Sequence, residues 1–365
     1  MNPFRFIHTL IATINLIFAV FFVVAAFSDC ISPNQSVMFS YMGLMFPGFL
    51  VINFCFLLYW LIVRQWLMFF IILCSFFVTW KPITHYAAFH PFPVDVSQKE
   101  VIKILTYNVM AFGYKDHTPA QPNEIIEYIA QSDADIVCLQ EYMVGTQANY
   151  MTQQKVDQAL TMYPYHYTAP LVRKSRYSIG LAIFSKYPIL NSRKIRYDST
   201  FNGSTIHEID VNGKKLVVVN NHLESFKLTM DDRSNFADFI KNMNTETFDE
   251  LKETIQRKMG EAFLIRAEQA EIVAEEIQNI NGDYLVVCGD FNDTPISYAR
   301  RVIQGTLIDA FSEAGTGLGI TCNQNYFWFR IDHILHSPNM KAYQTKVDNI
   351  SLSDHYPLWC FLELN

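Results

Sequence analysis

Only three charged residues, Arg5, Asp29 and Arg64, occur in the first eighty positions, and no other feature limits the fold of this chain so strongly. Three apolar segments fill that stretch: residues 6–27, 37–63 and 66–80. About 20 apolar residues at helical rise cross a bilayer core, so the first two segments are long enough to span and the third is short for it. A cleaved signal peptide would also begin with an apolar run, and "VVAAFSDC" offers small residues near the end of the first segment. Two further apolar segments behind it favour retention. A lipoprotein signal ending at Cys30 is excluded by the charged Asp29 before it. The expectation is an all-α transmembrane region of two or three helices over residues 1–80, a linker over 81–100 and a separate domain over 101–365.

Arg5 and Arg64 flank the apolar segments on one side, whereas the first connecting loop, "SDCISPNQS", has no Lys or Arg. The positive-inside tendency then puts the amino terminus in the cytoplasm. Three crossings place the large domain on the extracytoplasmic side, the orientation expected here; two would return it to the cytoplasm. The spans carry few polar residues and no charge, which argues for an anchor and against a transport path.

The remainder reads as an ordinary soluble domain, and an acidic one. The chain has 28 basic and 35 acidic residues, of which 26 and 34 lie beyond the first eighty, a net charge of −8 for that part. Such a domain lacks the broad basic footprint of a sequence-independent duplex binder. Arg173, Lys174 and Arg176 form a local basic cluster that reads as a solvated loop. Of seven cysteines, Cys30, Cys55 and Cys74 belong to the apolar region, and Cys138, Cys288 and Cys360 sit in strand-like runs as small hydrophobes. With Cys322 they make no zinc or disulfide spacing.

Strands and helices are mixed along the domain. "VIKILTYNVM", "DIVCLQEY", "SIGLAIFSKYPI", "YLVVCGDFN", "FWFRIDHILHS" and "HYPLWCFLEL" read as strands, and "NEIIEYIAQS" spaces Ile125, Ile126 and Ile129 along one helix face. "IHEIDVNGKKLVVVNNHL" carries two runs joined at Asn212-Gly213, a dipeptide suited to a tight hairpin. In the long polar interval 225–280, Phe248, Leu251, Ile255, Met259, Ala262 and Ile265 recur at helical spacing. Such a list packs as mixed sheets covered by helices.

Chemistry collects where the apolar strands end. Asn108 ends "ILTYN", Glu141 ends "IVCLQE", His222 ends "LVVVNNH", Asp290 and Asn292 end "VVCGDFN", and "SDH" precedes the last strand. Any one of these is ordinary punctuation after a strand. Together they supply hard oxygens, two amides and two imidazoles without a cysteine, a donor set for Mg²⁺ or Mn²⁺ rather than zinc.

In this order, "TYNVM", "IVCLQEY", "IGLAIFSKYPI", "VNNHLES", "VVCGDFND", "RIDHIL" and "SDHYPL" resemble the endonuclease/exonuclease/phosphatase superfamily, which includes deoxyribonuclease I, abasic-site endonucleases, neutral sphingomyelinases and inositol polyphosphate 5-phosphatases. The resemblance covers residues 101–365. It implies an α/β fold, a four-layer sandwich of two mixed β-sheets flanked by helices, that hydrolyses phosphate esters with a divalent metal. It implies Glu141 as main metal ligand with Asn108 beside it, and Asp354 as a further or alternative ligand. It implies Asp290 as the group orienting or deprotonating water, Asn292 and His222 as phosphate donors, and His355 as a donor held by Asp332. Abasic-site endonucleases carry a carboxylate two residues after the first Asn, where this chain has Met110, so that repair activity is disfavoured.

The function expected is thus a membrane-tethered, metal-dependent hydrolase of phosphate esters, acting on a lipid head group, a small phosphate ester or nucleic acid, with no obligate protein partner called for. The alternative is a non-catalytic membrane receptor or scaffold that binds a phosphorylated ligand. Aromatic "NYFWF" before "RIDH", with Tyr326 and Trp328, reads as core filling or as a substrate platform.

Overall fold

The computed structural model describes residues 3–92, 94–118, 120–147, 151–229, 231, 232, 234, 235, 248–324 and 327–364. Tyr326 therefore lies outside the described residues, as does the middle of the polar interval. The apolar region folds as helices α1 (Pro3–Ala26), α2 (Val37–Leu44), α3 (Phe46–Ile62), α4 (Trp66–Val78) and α5 (Trp80–Tyr86). Phe6–Ala26 is long and apolar enough to cross a bilayer by itself. The other two candidates are bent pairs, α2 with α3 at 54° and α4 with α5 at 63°, so the described residues hold one span, or up to three if each pair counts as one.

The expected second segment is thus broken at Met45, and the third forms α4 almost whole, with the bend at Thr79 at its end. Gly43, at the end of α2, is pressed against its neighbours: a Cβ there would lie 2.5 Å from Ser28 Oγ and 2.8 Å from the Ile296 carbonyl oxygen. Pro47 then sits in the first turn of α3, where its missing N–H costs nothing. At 13 residues, α4 reaches only about 20 Å, against about 30 Å of hydrocarbon. Inside the bundle the Trp60 indole N–H donates to Asn15 Oδ1 at 2.7 Å, and Asn53 donates to the carbonyls of Phe49 and Phe18 at 2.9 and 3.1 Å. Such bonds hold helices together where packing against apolar surroundings cannot discriminate.

The bundle has two distinct ends. His8 meets Tyr59 at one, while Phe22, Phe46, Phe49 and Tyr86 gather at the other around Ile296 of the following domain. Part of the interval 81–100 has regular structure. It begins within α5, and Ala88–Phe89 pairs antiparallel with Thr316–Gly317.

The domain continues with strands β1 (Val101–Asn108), β2 (Ile136–Gly145), β3 (Tyr165–Arg173), β4 (Tyr177–Ser185), β5 (Ile189–Ile195), β6 (Gly203–Val211), β7 (Lys214–His222), β8 (Tyr284–Asp290), β9 (Ile308–Asp309), β10 (Asp332–His336), β11 (Met340–Val347) and β12 (Leu358–Leu364). Among them run helices α6 (Glu124–Gln131), α7 (Gln153–Ala159), α8 (Phe248–Gln278), α9 (Tyr298–Gln304) and α10 (Ala310–Ala314). One sheet has the order β11-β12-β1-β2-β4-β3 and the other β9-β10-β8-β7-β6-β5. Each is mixed: β1–β2 and β7–β8 are parallel and their other pairings antiparallel.

Alternation of side chains makes this a sandwich. One set of strand residues, among them Ile104, Cys138, Val218, Cys288, Ile334 and Cys360, packs between the sheets. The opposite set in the first sheet, including Leu105 and Val137, packs on Ile125, Ile126 and Ile129 of α6. Val217, Val219 and Val287 of the second sheet pack on Ala270 and Val273 of α8 and on Ile303 of α9. Four layers result, helix, sheet, sheet and helix, as the motifs implied. The hairpin at Asn212-Gly213 is also present, with φ of +53° and +86° at the two turn residues.

A buried ion cluster locks one flank. Asp309 Oδ2 lies 2.8 Å from Arg300 Nη2 and 3.1 Å from Arg330 Nη1, and Asp309 also caps α10 by accepting from the Phe311 N–H at 3.0 Å. Burial opposes the charge on Asp309, but Arg330 and Arg300 outweigh it and hold the carboxyl far below the usual range. Breaking a buried pair by deleting one member costs about 3–5 kcal/mol, and Asp309→Ala is expected to lose that much in equilibrium denaturation. A depressed folded-state pKa means the contribution is complete above the ordinary carboxyl value of about 4 and fades only as pH falls below it. The wild type should therefore lose stability relative to the variant below about pH 4 in paired acid titrations.

Candidate active site

The two parallel strand pairs point their carboxyl ends to the same edge of the sandwich, so groups at the ends of β1, β2, β7 and β8 meet there. Backbone irregularities aim them. The β2–β4 register slips between Leu139 and Tyr142, and within that slip Glu141 has φ of +51°, which turns its side chain out of strand alternation. After β8, Asn292 adopts φ of +52° and donates its N–H to Asp290 Oδ1 at 2.8 Å. Gly289 has φ of +123° and presses on β7, where a Cβ would lie 2.1 Å from the Asn221 carbonyl oxygen. Only glycine fits there.

Asn108 occupies the centre. Its side-chain N–H groups donate to Glu141 Oε1 at 3.1 Å and to Asp290 Oδ2 at 3.0 Å, and its Oδ1 accepts from the Met110 N–H at 3.1 Å. His222 Nε2 stands 3.8 Å from both Glu141 Oε1 and Asp290 Oδ2. On the other side His355 Nε2 is 3.6 Å from Asp290 Oδ2, and its Nδ1 is bonded to Asp332 Oδ2 at 2.8 Å. Asp332 is the direct β10 partner of Asp290 in β8, which fixes the two carboxylates side by side. The Ser353 hydroxyl donates to the Asn108 carbonyl at 2.8 Å and accepts from the His355 N–H at 3.2 Å, tying the last loop to β1.

Electrostatics follow from this packing. Burial and neighbouring Asp332 push the Asp290 carboxyl up to about 6 against the lowering pull of His355, His222 and Asn108. Burial opposes the charge on His355, but Asp332 and Asp290 outweigh it and hold the imidazole well above its ordinary value. For His222 burial wins over Asp290, and its pKa is lowered. The site thus places an imidazole whose pKa is raised beside a carboxyl whose pKa is also raised.

The structure brings together Asn108, Glu141, His222, Asp290, Asp332 and His355, with Asn292 attached through Asp290. The Asn292 amide donates to the Leu223 carbonyl at 2.9 Å, which leaves its second N–H for another partner. Asp354 is half-buried, accepts from its neighbour Ser353 at 3.2 Å, and stands apart from the cluster of Asp290, Asp332 and His355, whose ligand atoms lie within 4.8 Å of one another. Asp232 forms a largely buried pair with Lys258, and Arg173, Lys174 and Arg176 are exposed at the turn between β3 and β4. Trp328 is 56% exposed rather than core.

These donors fit a hard divalent cation. Glu141 offers a partly exposed carboxylate beside Asp290, the Asn108 Oδ1 accepts from the Met110 N–H, and Asp332 Oδ1 is buried with no hydrogen-bond partner among the described residues. Asp290, Asp332 and His355 each bring one ligand atom within 4.8 Å of the others, a grouping that could also hold an ion.

Sequence reasoning passed over several supporting residues. Gln140 Nε2 donates to Asn220 Oδ1 at 2.7 Å and to Thr106 Oγ1 at 3.0 Å, while Asn220 donates to the carbonyls of Leu139 and Ala182, so a buried amide pair joins the two sheets under the site. Arg266 of α8, fully buried between Phe226 and Phe263, bonds the Asn292 carbonyl and lies 3.1 Å from Asp293 Oδ2. Amides inside "VCLQE" and "VVVNNH" were the available signal for the first. A lone Arg on an amphipathic helix gave none for the second.

The sequence profile of the "Endonuclease/Exonuclease/phosphatase family" matches residues 105–355. The chain belongs to that family. Its members hydrolyse phosphate esters and generally use divalent metals. Residues 8–86 match a domain of unknown function. Among solved structures, the endonuclease/exonuclease/phosphatase from Bacteroides vulgatus superposes with a TM-score of 0.51 at 20% identity, covering 73% of this chain and 100% of that one. The one from Beutenbergia cavernae DSM 12333 gives 0.50 at 16%, covering 73% and 72%. The human nocturnin catalytic domain with bound sulfate anion gives 0.50 at 18%, covering 76% and 99%. At these identities the likeness concerns the fold. No curated protein matches the chain.

The amide pair beneath the site is testable. Gln140→Leu leaves Asn220 Oδ1 without its donor, and stranding a buried polar group costs about 1–3 kcal/mol. Chemical denaturation should show that loss. Leucine at both positions should recover part of it.

Proposed function

We propose that this chain is a membrane-tethered, Mg²⁺- or Mn²⁺-dependent hydrolase that splits phosphate esters by direct attack of water on phosphorus. One observation carries the reading: carboxylate, amide and imidazole groups from both sheets converge within 3.8 Å of their neighbours at one edge of a family fold.

Glu141 and Asn108 would hold the cation, with Asp354 near enough in sequence to His355 to support the same region. When bound, the cation supplies positive charge against phosphate oxygens and favours the deprotonated form of water. The protein's own groups do the rest. Asp290, carboxylate at neutral pH and buried, orients a water and takes its proton as the oxygen bonds to phosphorus. The bond from phosphorus to the leaving oxygen breaks, and that oxygen takes a proton from solvent. His355, kept protonated by Asp332, donates to a non-bridging phosphate oxygen as charge builds there. His222 and the second amide N–H of Asn292 donate to the remaining oxygens.

Tethering rests on Phe6–Ala26 and the two bent pairs. Arg64 follows α3 at the bundle end that includes Trp60 and Val63, away from Ile296, and α1 begins at that same end. The positive-inside tendency then supports a catalytic domain on the extracytoplasmic side.

Asp290→Asn and His355→Ala should each lower hydrolysis of a generic phosphodiester by about 10²–10⁴-fold with unchanged thermal unfolding. EDTA should stop the wild type, and added Mg²⁺ or Mn²⁺ should restore it. Turnover that survives both substitutions excludes this site; ligand binding without any turnover favours the receptor reading.

A further inference from the structure

The loop that ends β8 links the reaction centre to the bundle. Asp290 belongs to the site, and Ile296, six residues on, is buried in one apolar cluster with Phe22, Phe46, Phe49 and Tyr86. Six residues span at most about 20 Å even when extended. Asp29 and Arg301 add an ion pair at 3.3 Å between the helical region and α9, and Tyr41 packs edge-on against Phe263 of α8. The site is therefore held close to the end of the bundle from which the domain emerges.

Beside it runs a groove of about 890 Å³ along the edge strand β11. Phe92, Ile320, Trp328, Tyr343, Lys346 and Tyr356 are among its lining residues. Its far wall is the strap that follows α5, fastened by the Ala88–Phe89 pairing and by Gln344 Nε2 donating to the Val94 carbonyl at 2.6 Å. Its lining includes Tyr356, the residue directly after His355, whose N–H donates to the Thr321 carbonyl at 2.6 Å. The other features suit an amphipathic anion. Phe89 and Phe92, 82% and 86% exposed, form an apolar lip three and six residues beyond the last bundle helix. Lys341 and Lys346 line the groove with Glu313, over the rings of Tyr343 and Trp359, on a domain whose net charge is −8.

We propose that this groove takes the apolar chain of a phosphate ester drawn from the bilayer, so that the substrate is a membrane lipid phosphate. The inference rests on the hydrolase reading and adds its substrate class. A wall made by the segment leaving the bundle, an apolar lip and two lysines fit a lipid phosphate. The net charge of −8 on the domain fits the polyanionic backbone of a nucleic acid poorly.

The test uses the full chain reconstituted in phosphatidylcholine vesicles with Mg²⁺. Methyl, ethyl, butyl and hexyl 4-nitrophenyl phosphates are followed by nitrophenolate release, and the matching alkyl phosphates by phosphate release. Burying each added methylene should raise kcat/KM by up to about fourfold. Phe92→Ser and Trp328→Ala should flatten that slope and leave the methyl ester rate unchanged. A methyl ester turned over with no chain-length dependence overturns this inference while the hydrolase reading stands. So does a slope that persists in both variants, which reports partition into the vesicle, and so does a single-stranded oligonucleotide cleaved faster than the hexyl ester. Turnover of none of the esters overturns both readings.

Discussion

The position of Asn108 between Glu141 and Asp290 is the constraint on which the rest of the site depends. Two carboxylates from different sheets face each other at that point, and in a buried setting their repulsion has to be met by hydrogen-bond donors or by positive charge. The Asn108 amide supplies donors to both, and the two histidines flank Asp290. This works only because β1 and β8 end at the same level in separate sheets. The Gln140–Asn220 bond lower down fixes that level.

Burial of this network sets its chemistry. An exposed Asp290 would be an ordinary carboxylate and an exposed His355 an ordinary imidazole. Packed side by side with Asp332, both have raised pKa values a few ångströms apart. The same loop that carries Asp290 is braced by Arg266 beneath and by Ile296 in the bundle. The amino-terminal region is thus packed against the segment that orders the site, rather than attached by a loose tether.

Much of this was legible in the sequence because strand ends leave a plain mark: an apolar run interrupted by Asn, Glu, His or Asp. That mark located Asn108, Glu141, His222, Asp290 and His355, and Asn212-Gly213 marked its hairpin. The interior amides Gln140 and Asn220 were passed over because a polar residue one step inside a strand looks the same whether it is a solvated edge or a buried cross-link. Arg266 was missed because helical spacing shows which face is buried and not which cation that face must accommodate. The break at Met45 was missed for a related reason, since the close approach of Gly43 to Ser28 and Ile296 beside it exists only in the folded chain.

The order of residues alone determined the division into an apolar helical region and an acidic α/β domain, since hydrophobic periodicity and charge are local properties of a chain. The tertiary structure decided which polar residues share a space, because β2 and β8 meet through packing across more than a hundred residues that no local pattern encodes. It also decided that residues 81–100 would strap the flank of the domain and that Ile296 would enter the bundle, both outcomes of burying apolar surface wherever the fold had left a complementary one.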